Sequence, residues 1–143
     1  MRKLAAIYER KGALFVTAAH RTIAGFWIDE ERVETLDRPM PEDLGRAVEV
    51  ALARSQDGVA TPSPAARLDK PLLRAAGVRS WVTFMKLSKH VSVSLDEDVL
   101  KITPYRNLGG KEGFEPQPDV AVAFPASASA LGAKLTEMLN DVD

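Results

Sequence analysis

The stretch that decides the fold of this chain is Pro39–Leu52, PMPEDLGRAVEVAL. Proline suits the first turn of a helix, and the two acids that follow Pro41 complement the positive end of the helix dipole. From Leu44 onward, apolar residues recur at i, i+3, i+4, i+7 and i+8, which is the stripe of an amphipathic helix. The stretch therefore predicts a helix that ends near the Ser-Gln-Asp-Gly sequence at 55–58.

A second helix with the same beginning is predicted near the C-terminus. Leu131-Gly132 repeats Leu44-Gly45 at an offset of 87 residues, and an apolar stripe runs on to Leu139, which predicts a helix over 127–140. Each helix follows a strand that ends in a proline-containing loop. We therefore predict a single α+β domain over 1–143 in which antiparallel strands followed by a helix occur twice. The predicted halves, each ββββα-like, are about 1–57 and 78–143, with a linker at about 58–70.

The strands are predicted from short alternating segments between turn residues. Leu4–Tyr8 and Ala13–Thr17 flank Gly12 and indicate one hairpin, and Thr22–Ile28 and Arg32–Leu36 flank the acids at 29–31 and indicate another. The later segments are a helical turn at Pro71–Ala76, a strand at Trp81–Leu87, a strand at Val91–Leu95 paired with Val99–Thr103 across the acids at 96–98, a loop at 104–118 and a strand at 119–125.

Composition excludes several classes of protein. The chain has no cysteine, which excludes disulfides, thiolate metal sites and cysteine nucleophiles. No apolar run approaches the roughly 20 residues needed to cross a bilayer. The apolar stretch at 4–8 is too short for the core of a secretory signal. We therefore expect a cytoplasmic protein with no membrane association.

Charge is distributed unevenly along the chain although the net charge is only −1. Residues 59–94 contain six basic side chains and one acid, whereas residues 95–143 contain nine acids and four basic side chains. These segments can form two opposed faces that attract charged partners, or they can simply solvate the surface. The sequence leaves both interpretations open.

No catalytic constellation is found in the sequence. His20 and His90 lack the spacing of a metal site, there is no G-x-S-x-G elbow, and Gly109-Gly110-Lys111 lacks the spacing of a phosphate-binding loop. The acid triplets at 29–31 and 96–98 are predicted to lie at hairpin tips, where water keeps their pKa values ordinary. They are read either as turn residues or as an acidic lip for a basic partner. We therefore expect a binding protein with no enzymatic activity and no cofactor.

The segment Ile102–Pro116 is the most informative candidate for binding. It carries an aromatic residue, a guanidinium and two carboxylates in a glycine-rich loop after a strand. Arg106 can pair with Glu112 or Glu115 and make the loop rigid. Alternatively, rigid loops that display tyrosine and arginine are the usual material of binding hot spots.

These residues resemble the immunity proteins of bacterial contact-dependent growth inhibition systems. The matching features in the second half are Ile-Thr-Pro-Tyr-Arg-Asn at 102–107, Gly-Phe-Glu at 113–115, and Pro-Ala-Ser-Ala-Ser at 125–129 before Leu131–Leu135. In the first half they are His-Arg-Thr at 20–22, Gly25, Pro41–Val48 and Ala76–Trp81. The resemblance covers nearly the whole chain.

The resemblance implies a cytosolic antidote whose partner is the C-terminal toxin domain of a cognate effector protein. Such proteins occlude the active site of the toxin, which is often a nuclease. Because a nuclease is basic where it grips phosphate, we expect carboxylates and apolar anchors at the interface. The predicted partner-binding residues are Asp96, Glu97, Asp98, Tyr105, Arg106, Glu112, Phe114, Glu115 and Asp119. A homodimer through an unpaired edge strand is also left open.

The alternative function is a single-stranded nucleic-acid-binding module, since the repeated plan of strands then helix looks like the Whirly architecture. The six basic residues at 67–89, interleaved with Trp81 and Phe84, could combine phosphate contacts with base stacking. Against this, Trp81, Phe84 and Met85 are more simply read as the core of a central strand, and the overall acidity does not favour a polyanion binder.

Overall fold

A computed structural model describes residues 2–142. Within this range the chain forms nine strands and four helices, and the α+β fold predicted from the sequence is confirmed. The helices are α1 Pro41–Arg54, α2 Lys70–Ala76, α3 Trp81–Met85 and α4 Ala128–Asp141. The strands are β1 Arg2–Arg10, β2 Ala13–Thr22, β3 Trp27–Asp29, β4 Glu34–Asp37, β5 Asp57–Val59, β6 Ser88–Asp96, β7 Val99–Asn107, β8 Phe114–Pro116 and β9 Val120–Val122.

The strands form one sheet whose centre joins the two ends of the sequence. The order along the sheet is β3-β2-β1-β6-β7-β8, with β4 and β5 also paired to β2 and β9 paired to β7. The central pair, β1 and β6, is antiparallel from Arg2 opposite Asp96 to Arg10 opposite Ser88. Because side chains alternate across a sheet, this register places two different sets of residues on its two faces.

One face of the sheet carries the larger core. Ile7, Val16, Val91 and Ile102 of the four long strands point to this face and are buried against α1 and α4. The opposite face is aromatic and is covered in part by the two short helices. There Tyr8 and Phe15 pack with Leu72 and Leu73 of α2 and with Phe84 of α3.

The two long helices cross where each has a glycine. A Cβ on Gly45 of α1 would overlap the backbone carbonyl of Ala128, and a Cβ on Gly132 of α4 would overlap that of Pro41. Both helices are found where the sequence predicts them, within one residue for α4. The two contacts are equivalent, because Gly132 lies 87 positions after Gly45 and Ala128 lies 87 positions after Pro41. The duplication into halves around a linker at 58–70 stays a prediction.

Three local predictions are wrong. Trp81–Leu87 begins with the helix α3 and not a strand, because Ser80 caps the turn by accepting a hydrogen bond from the Thr83 amide. The expected hairpin across 29–31 does not form, since β3 and β4 each pair with β2 and not with each other. The loop expected at 104–118 is reduced to 108–113 between β7 and β8. The predicted linker, in contrast, forms no helix or strand over residues 60–69, and only its first two residues belong to β5, which runs parallel to β2.

The hairpin across the acids at 96–98 is confirmed: β6 and β7 pair from Asp96 opposite Val99 to His90 opposite Tyr105. The helical turn predicted at Pro71–Ala76 is also confirmed as α2, which ends at Gly77 in a left-handed conformation. Among residues 2–142, no helix has the length and apolar character needed to cross a membrane.

Candidate functional site

The predicted partner-binding residues divide into two groups at opposite ends of β7. The first group lies around the β6–β7 turn, where Asp96, Glu97 and Asp119 line a cavity of about 530 Å³. Asp98 is exposed in the same turn. Arg2 and Lys101 line this cavity as well, so the carboxylates there are mixed with two cations.

The second group lies at the far end of β7. Tyr105 and Arg106 are in β7 itself, Phe114 and Glu115 are in β8, and Glu112 is in the loop between these strands. Arg106 stands opposite Glu115 in the register of the two strands. Arg106, Glu112 and Glu115 are all exposed and available to a partner.

The ion pair expected to make the 108–113 loop rigid does not form. Within residues 2–142, Arg106 makes no ion pair within 4.0 Å with Glu112 or Glu115. Asn107 holds the loop instead. Its Nδ2 donates to the carbonyl oxygens of Met85 at 2.7 Å and Ser88 at 2.9 Å, and its Oδ1 accepts from the Gly109 amide at 2.9 Å. The loop is thus fastened to α3 and to the start of β6.

Tyr105 belongs to a stacked column of three rings on neighbouring strands. The ring of His90 lies 4.2 Å from that of Tyr8 and 4.2 Å from that of Tyr105, with interplanar angles of 7° and 24°. The Tyr105 hydroxyl also shares a hydrogen bond of 3.2 Å with Ser92. Phe114 closes the column, with its centroid 5.1 Å from His90. The two predicted apolar anchors are therefore half-buried, and their rings pack against other aromatic rings of the protein.

His90 is held neutral by its position in the column. Burial lowers the pKa of His90 to about 4, and its Nδ1 lies 2.9 Å from the carbonyl oxygen of Ile7. A backbone carbonyl accepts a hydrogen bond, so Nδ1 carries the proton and Nε2 is the unprotonated ring nitrogen. His90 thus contributes packing and one hydrogen bond at neutral pH.

The acid triplet at 29–31 differs from its expected state. Glu31 is exposed, as expected of a turn. Asp29, the last residue of β3, is partly buried, and its Oδ2 accepts a hydrogen bond of 3.0 Å from the Tyr8 hydroxyl. Burial and the neighbouring charge of Glu30 raise the pKa of Asp29 to about 6, while the Tyr8 hydrogen bond and His20 act in the lowering direction. The expectation of ordinary pKa values at 29–31 is thus wrong for Asp29.

Glu30 is held by an arginine and a histidine. Arg54 at the end of α1 lies 2.6 Å from one carboxylate oxygen, and Nε2 of His20 lies 3.1 Å from the other. The arrangement fastens the end of α1 to the sheet edge. Asp29, in contrast, accepts a hydrogen bond from the Tyr8 hydroxyl. No cation among the residues that the structure describes lies within 4.0 Å of its carboxylate.

Asp29 lines a cavity of about 340 Å³ on the aromatic face of the sheet. Tyr8 and Thr17 of β1 and β2 line it, as do Trp27 of β3 and Trp81 of α3. Sequence reasoning missed this site because its residues come from five elements, β1, β2, β3, α2 and α3, and no motif joins them. The one available signal was the acid pair next to Trp27.

The basic segment at 67–89 does not present the aromatic residues that the nucleic-acid hypothesis needs. Phe84 is 0% exposed and Met85 is buried, so their interpretation as core is confirmed although the element is a helix. Trp81 is half-buried and stacked on Phe84, with a centroid distance of 5.4 Å. Five of the six basic residues are exposed and the sixth is half-buried: Arg67, Lys70, Arg74, Arg79, Lys86 and Lys89.

No cluster of three or more histidine or acidic side chains suited to a metal ion occurs in the described part of the chain.

Comparison with known proteins identifies the fold first. No protein-family model and no curated protein matches the chain. Among solved structures, a protein of unknown function from Neisseria meningitidis has the same fold, with a TM-score of 0.82 and 21% identity over 100% of this chain and 96% of its own.

A second solved structure with this fold comes from a functional complex. It is a chain of a CdiA-CT/CdiI toxin and immunity complex from Yersinia pseudotuberculosis, with a TM-score of 0.79 and 16% identity over 100% of this chain and 98% of its own. At these identities the likeness is one of fold. It confirms at the level of the fold the resemblance found in the sequence.

Proposed function

We propose that this chain is an immunity protein that binds the C-terminal toxin domain of a contact-dependent growth inhibition effector and neutralises it. The observation that carries the proposal is the likeness in fold to a chain of a toxin and immunity complex, which extends over 100% of this chain and 98% of the other. The sequence resemblance to the same class of protein, spread over both halves, supports it independently.

Neutralisation by occlusion requires a stable complex and no turnover. The exposed acids at the two ends of β7 suit this task, because a nuclease must present a basic surface where it binds phosphate. Carboxylates that cover this surface keep the substrate away by both shape and charge. The toxin is therefore proposed to be a nuclease whose active site is covered by the immunity protein inside the producing cell.

Co-expression tests the proposal directly. The C-terminal domain of a candidate effector protein is expressed from an inducible promoter, with or without this chain, and growth is followed. The expected result is arrest of growth by the toxin alone, rescue by co-expression, and co-purification of the two proteins in a fixed stoichiometry. Failure of both rescue and complex formation, with both proteins folded, would remove the assignment.

A matched control separates a specific antidote from a general effect of expression. An unrelated immunity protein expressed at the same level should not rescue growth, because specificity in such systems lies in surface contacts. Nuclease activity of the purified toxin on RNA and DNA, with and without this chain, then tests the proposed class of toxin. Inhibition at stoichiometric concentration is expected if the active site is covered.

A further inference from the structure

The corner cavity, defined as the cavity of about 340 Å³ lined by Tyr8, Thr17, Trp27, Asp29, Leu72 and Trp81, has the chemistry of a receptor for one side chain. Its volume is at the lower end of the range for small-ligand pockets, so an occupant of a few heavy atoms is suitable. It opens on the aromatic face of the sheet, beside the edge strand β3 and the helices α2 and α3.

The charges around the corner cavity are matched except at one carboxylate. Glu30 is paired with Arg54 and His20, and Asp69 is paired with Arg67 at 3.2 Å. Asp29 has the Tyr8 hydroxyl as its partner, and within residues 2–142 no cation lies within 4.0 Å of it. A partly buried carboxylate without a cation is a costly arrangement that a ligand cation would relieve.

The apolar lining favours a planar cation over a compact one. Two indole rings line the corner cavity, and guanidinium groups stack on aromatic faces more readily than ammonium groups do. The guanidinium carbon of Arg2 already lies 6.0 Å from the ring centroid of Trp27, at the limit of this kind of contact. A guanidinium also matches the two oxygens of a carboxylate, of which the Tyr8 hydroxyl uses one.

We propose that the corner cavity binds the side chain of an arginine of the protein partner, with the guanidinium on Asp29 and the methylene stem along Trp27 and Trp81. The assignment of that arginine to a toxin domain rests on the proposed function. The preference of the cavity for a guanidinium does not, and it can be tested without a partner.

Titration with N-acetylarginine amide, followed by tryptophan fluorescence, tests the corner cavity directly. The chain has two tryptophans, Trp27 and Trp81, and both line it, so the whole tryptophan signal comes from the site. A saturable change with a Kd of about a millimolar is expected for a single side-chain analogue. N-acetylcitrulline amide, the uncharged isostere, should bind at least about tenfold more weakly because it cannot form the charged contact with Asp29.

Variants of two aspartates identify the carboxylate that binds the guanidinium. D29N keeps a side-chain oxygen to accept the Tyr8 hydrogen bond, and it should weaken the arginine analogue at least about tenfold. D37N, which changes an exposed aspartate of β4, should bind as the unmodified protein does. No saturable response of the unmodified protein, or equal binding of the arginine and citrulline analogues, would overturn the proposal.

The pH dependence of binding provides a readout that a purely structural role would not affect. A guanidinium favours the ionised form of Asp29, so the affinity of the unmodified protein should fall as the pH is lowered through about 6. Tyr8, His20, Glu30 and Asp69 also lie at or beside the cavity, and D29N retains all of them. If the affinity of D29N for the arginine analogue no longer depends on pH, the dependence is due to Asp29. If D29N keeps the same pH dependence, the proposal is contradicted.

Binding of the proposed toxin domain to the same two variants is the second test. D29N should raise the Kd of the complex at least about tenfold, and D37N should leave it unchanged. A complex that forms with the unmodified protein but is indifferent to D29N would overturn the placement of the partner's arginine while leaving the proposed function intact. If neither protein forms a complex, the proposed function fails, and the titration alone then decides whether the cavity binds a guanidinium.

Discussion

At the scale of single residues, this protein keeps two titratable groups away from their ordinary states. Burial raises the pKa of Asp29 to about 6 and lowers the pKa of His90 to about 4. Both residues meet Tyr8, Asp29 through a hydrogen bond and His90 through ring stacking. One tyrosine thus connects the corner cavity with the stacked column that runs across the centre of the sheet to Tyr105.

The state of Asp29 predicts a pH-dependent gain of stability in D29N. The unfolded aspartate titrates at about 3.9. Because the folded pKa is raised, its contribution to stability is fully present below about pH 4 and is lost as the pH rises through about 6. The loss is on the order of 2–3 kcal/mol, and asparagine avoids it. D29N should therefore be more stable than the unmodified protein at pH 7.5, by roughly 1–2 kcal/mol in urea unfolding.

The difference between the two proteins should shrink toward zero at pH 4, where Asp29 is protonated. His90 has the opposite dependence: its lowered pKa gives stability that is present above about pH 6.5 and lost as the pH falls through about 4. Since both proteins retain His90, its effect cancels in the comparison. A D29N variant that is less stable than the unmodified protein by the same amount at both pH values would contradict the raised pKa of Asp29.

At the scale of elements, the crossing of α1 and α4 depends on the absence of two side chains. Gly45 and Gly132 each face the backbone at the start of the other helix. Glycine inside a helix costs about 0.5–1 kcal/mol relative to alanine, so two glycines in the long helices need a reason. The reason is the close approach, which buries Leu44, Leu131 and Leu135 between the helices and the sheet.

G45A should therefore lower the free energy of unfolding, although alanine is the better helix former. The added methyl group would overlap the Ala128 carbonyl, and the helices would have to move apart at a cost of about 1–3 kcal/mol. Urea unfolding measures the change. E49A, at an exposed position of α1, is the matched control and should stay within about 0.5 kcal/mol of the unmodified protein.

The double variant sharpens this prediction. G132A alone should cost a similar amount, because its methyl group would overlap the Pro41 carbonyl. One separation of the helices relieves both overlaps, so G45A/G132A should cost less than the sum of the two single changes. Stabilisation by either alanine would show that the helices are not held at this distance by the glycines.

The same elements show what the sequence can and cannot predict. Helices α1 and α4 have 14 residues each, long enough to repeat a helical period, and the sequence predicts both closely. Helix α3 has five residues and β3 has three, too few to show a period. The sequence therefore predicts a strand where α3 forms, and it pairs β3 with β4 although both strands pair with β2. The acids around the two ends of β7 can be read from the sequence, but the burial of Asp29 and its hydrogen bond to Tyr8, 21 positions away, depend on the fold.

At the scale of the whole molecule, the charge asymmetry of the sequence becomes a spatial one. The basic residues from Arg67 to Lys86 belong to the segment of α2 and α3, on the aromatic side of the sheet, whereas α1 and α4 cover the opposite side. The acids of the C-terminal segment gather at the two ends of β7. A basic partner would therefore be attracted to the ends of β7. The exposed basic residues of the segment of α2 and α3 repel it, so a partner cation on that side of the sheet is favoured at Asp29 in the corner cavity.

This distribution predicts the effect of charge reversal in the β7–β8 region. Glu112 and Glu115 are exposed and take part in no ion pair among residues 2–142, so E112K/E115K should fold normally. It should weaken binding of the proposed toxin domain by about tenfold or more, mainly through slower association, because exposed charges act on the rate of encounter. Surface plasmon resonance at several salt concentrations measures this, and the variant's association rate should depend less on salt.

A second double variant controls for the change in total charge. E34K/E49K makes the same change in charge at exposed positions of β4 and α1, away from β7, and should retain both the affinity and most of the salt dependence. Equal weakening by the two variants would mean that the partner responds to net charge and not to the β7–β8 region. Unchanged affinity in E112K/E115K, with its thermal unfolding intact, would remove Glu112 and Glu115 from the interface and leave the corner cavity and the β6–β7 turn as the remaining contact surfaces.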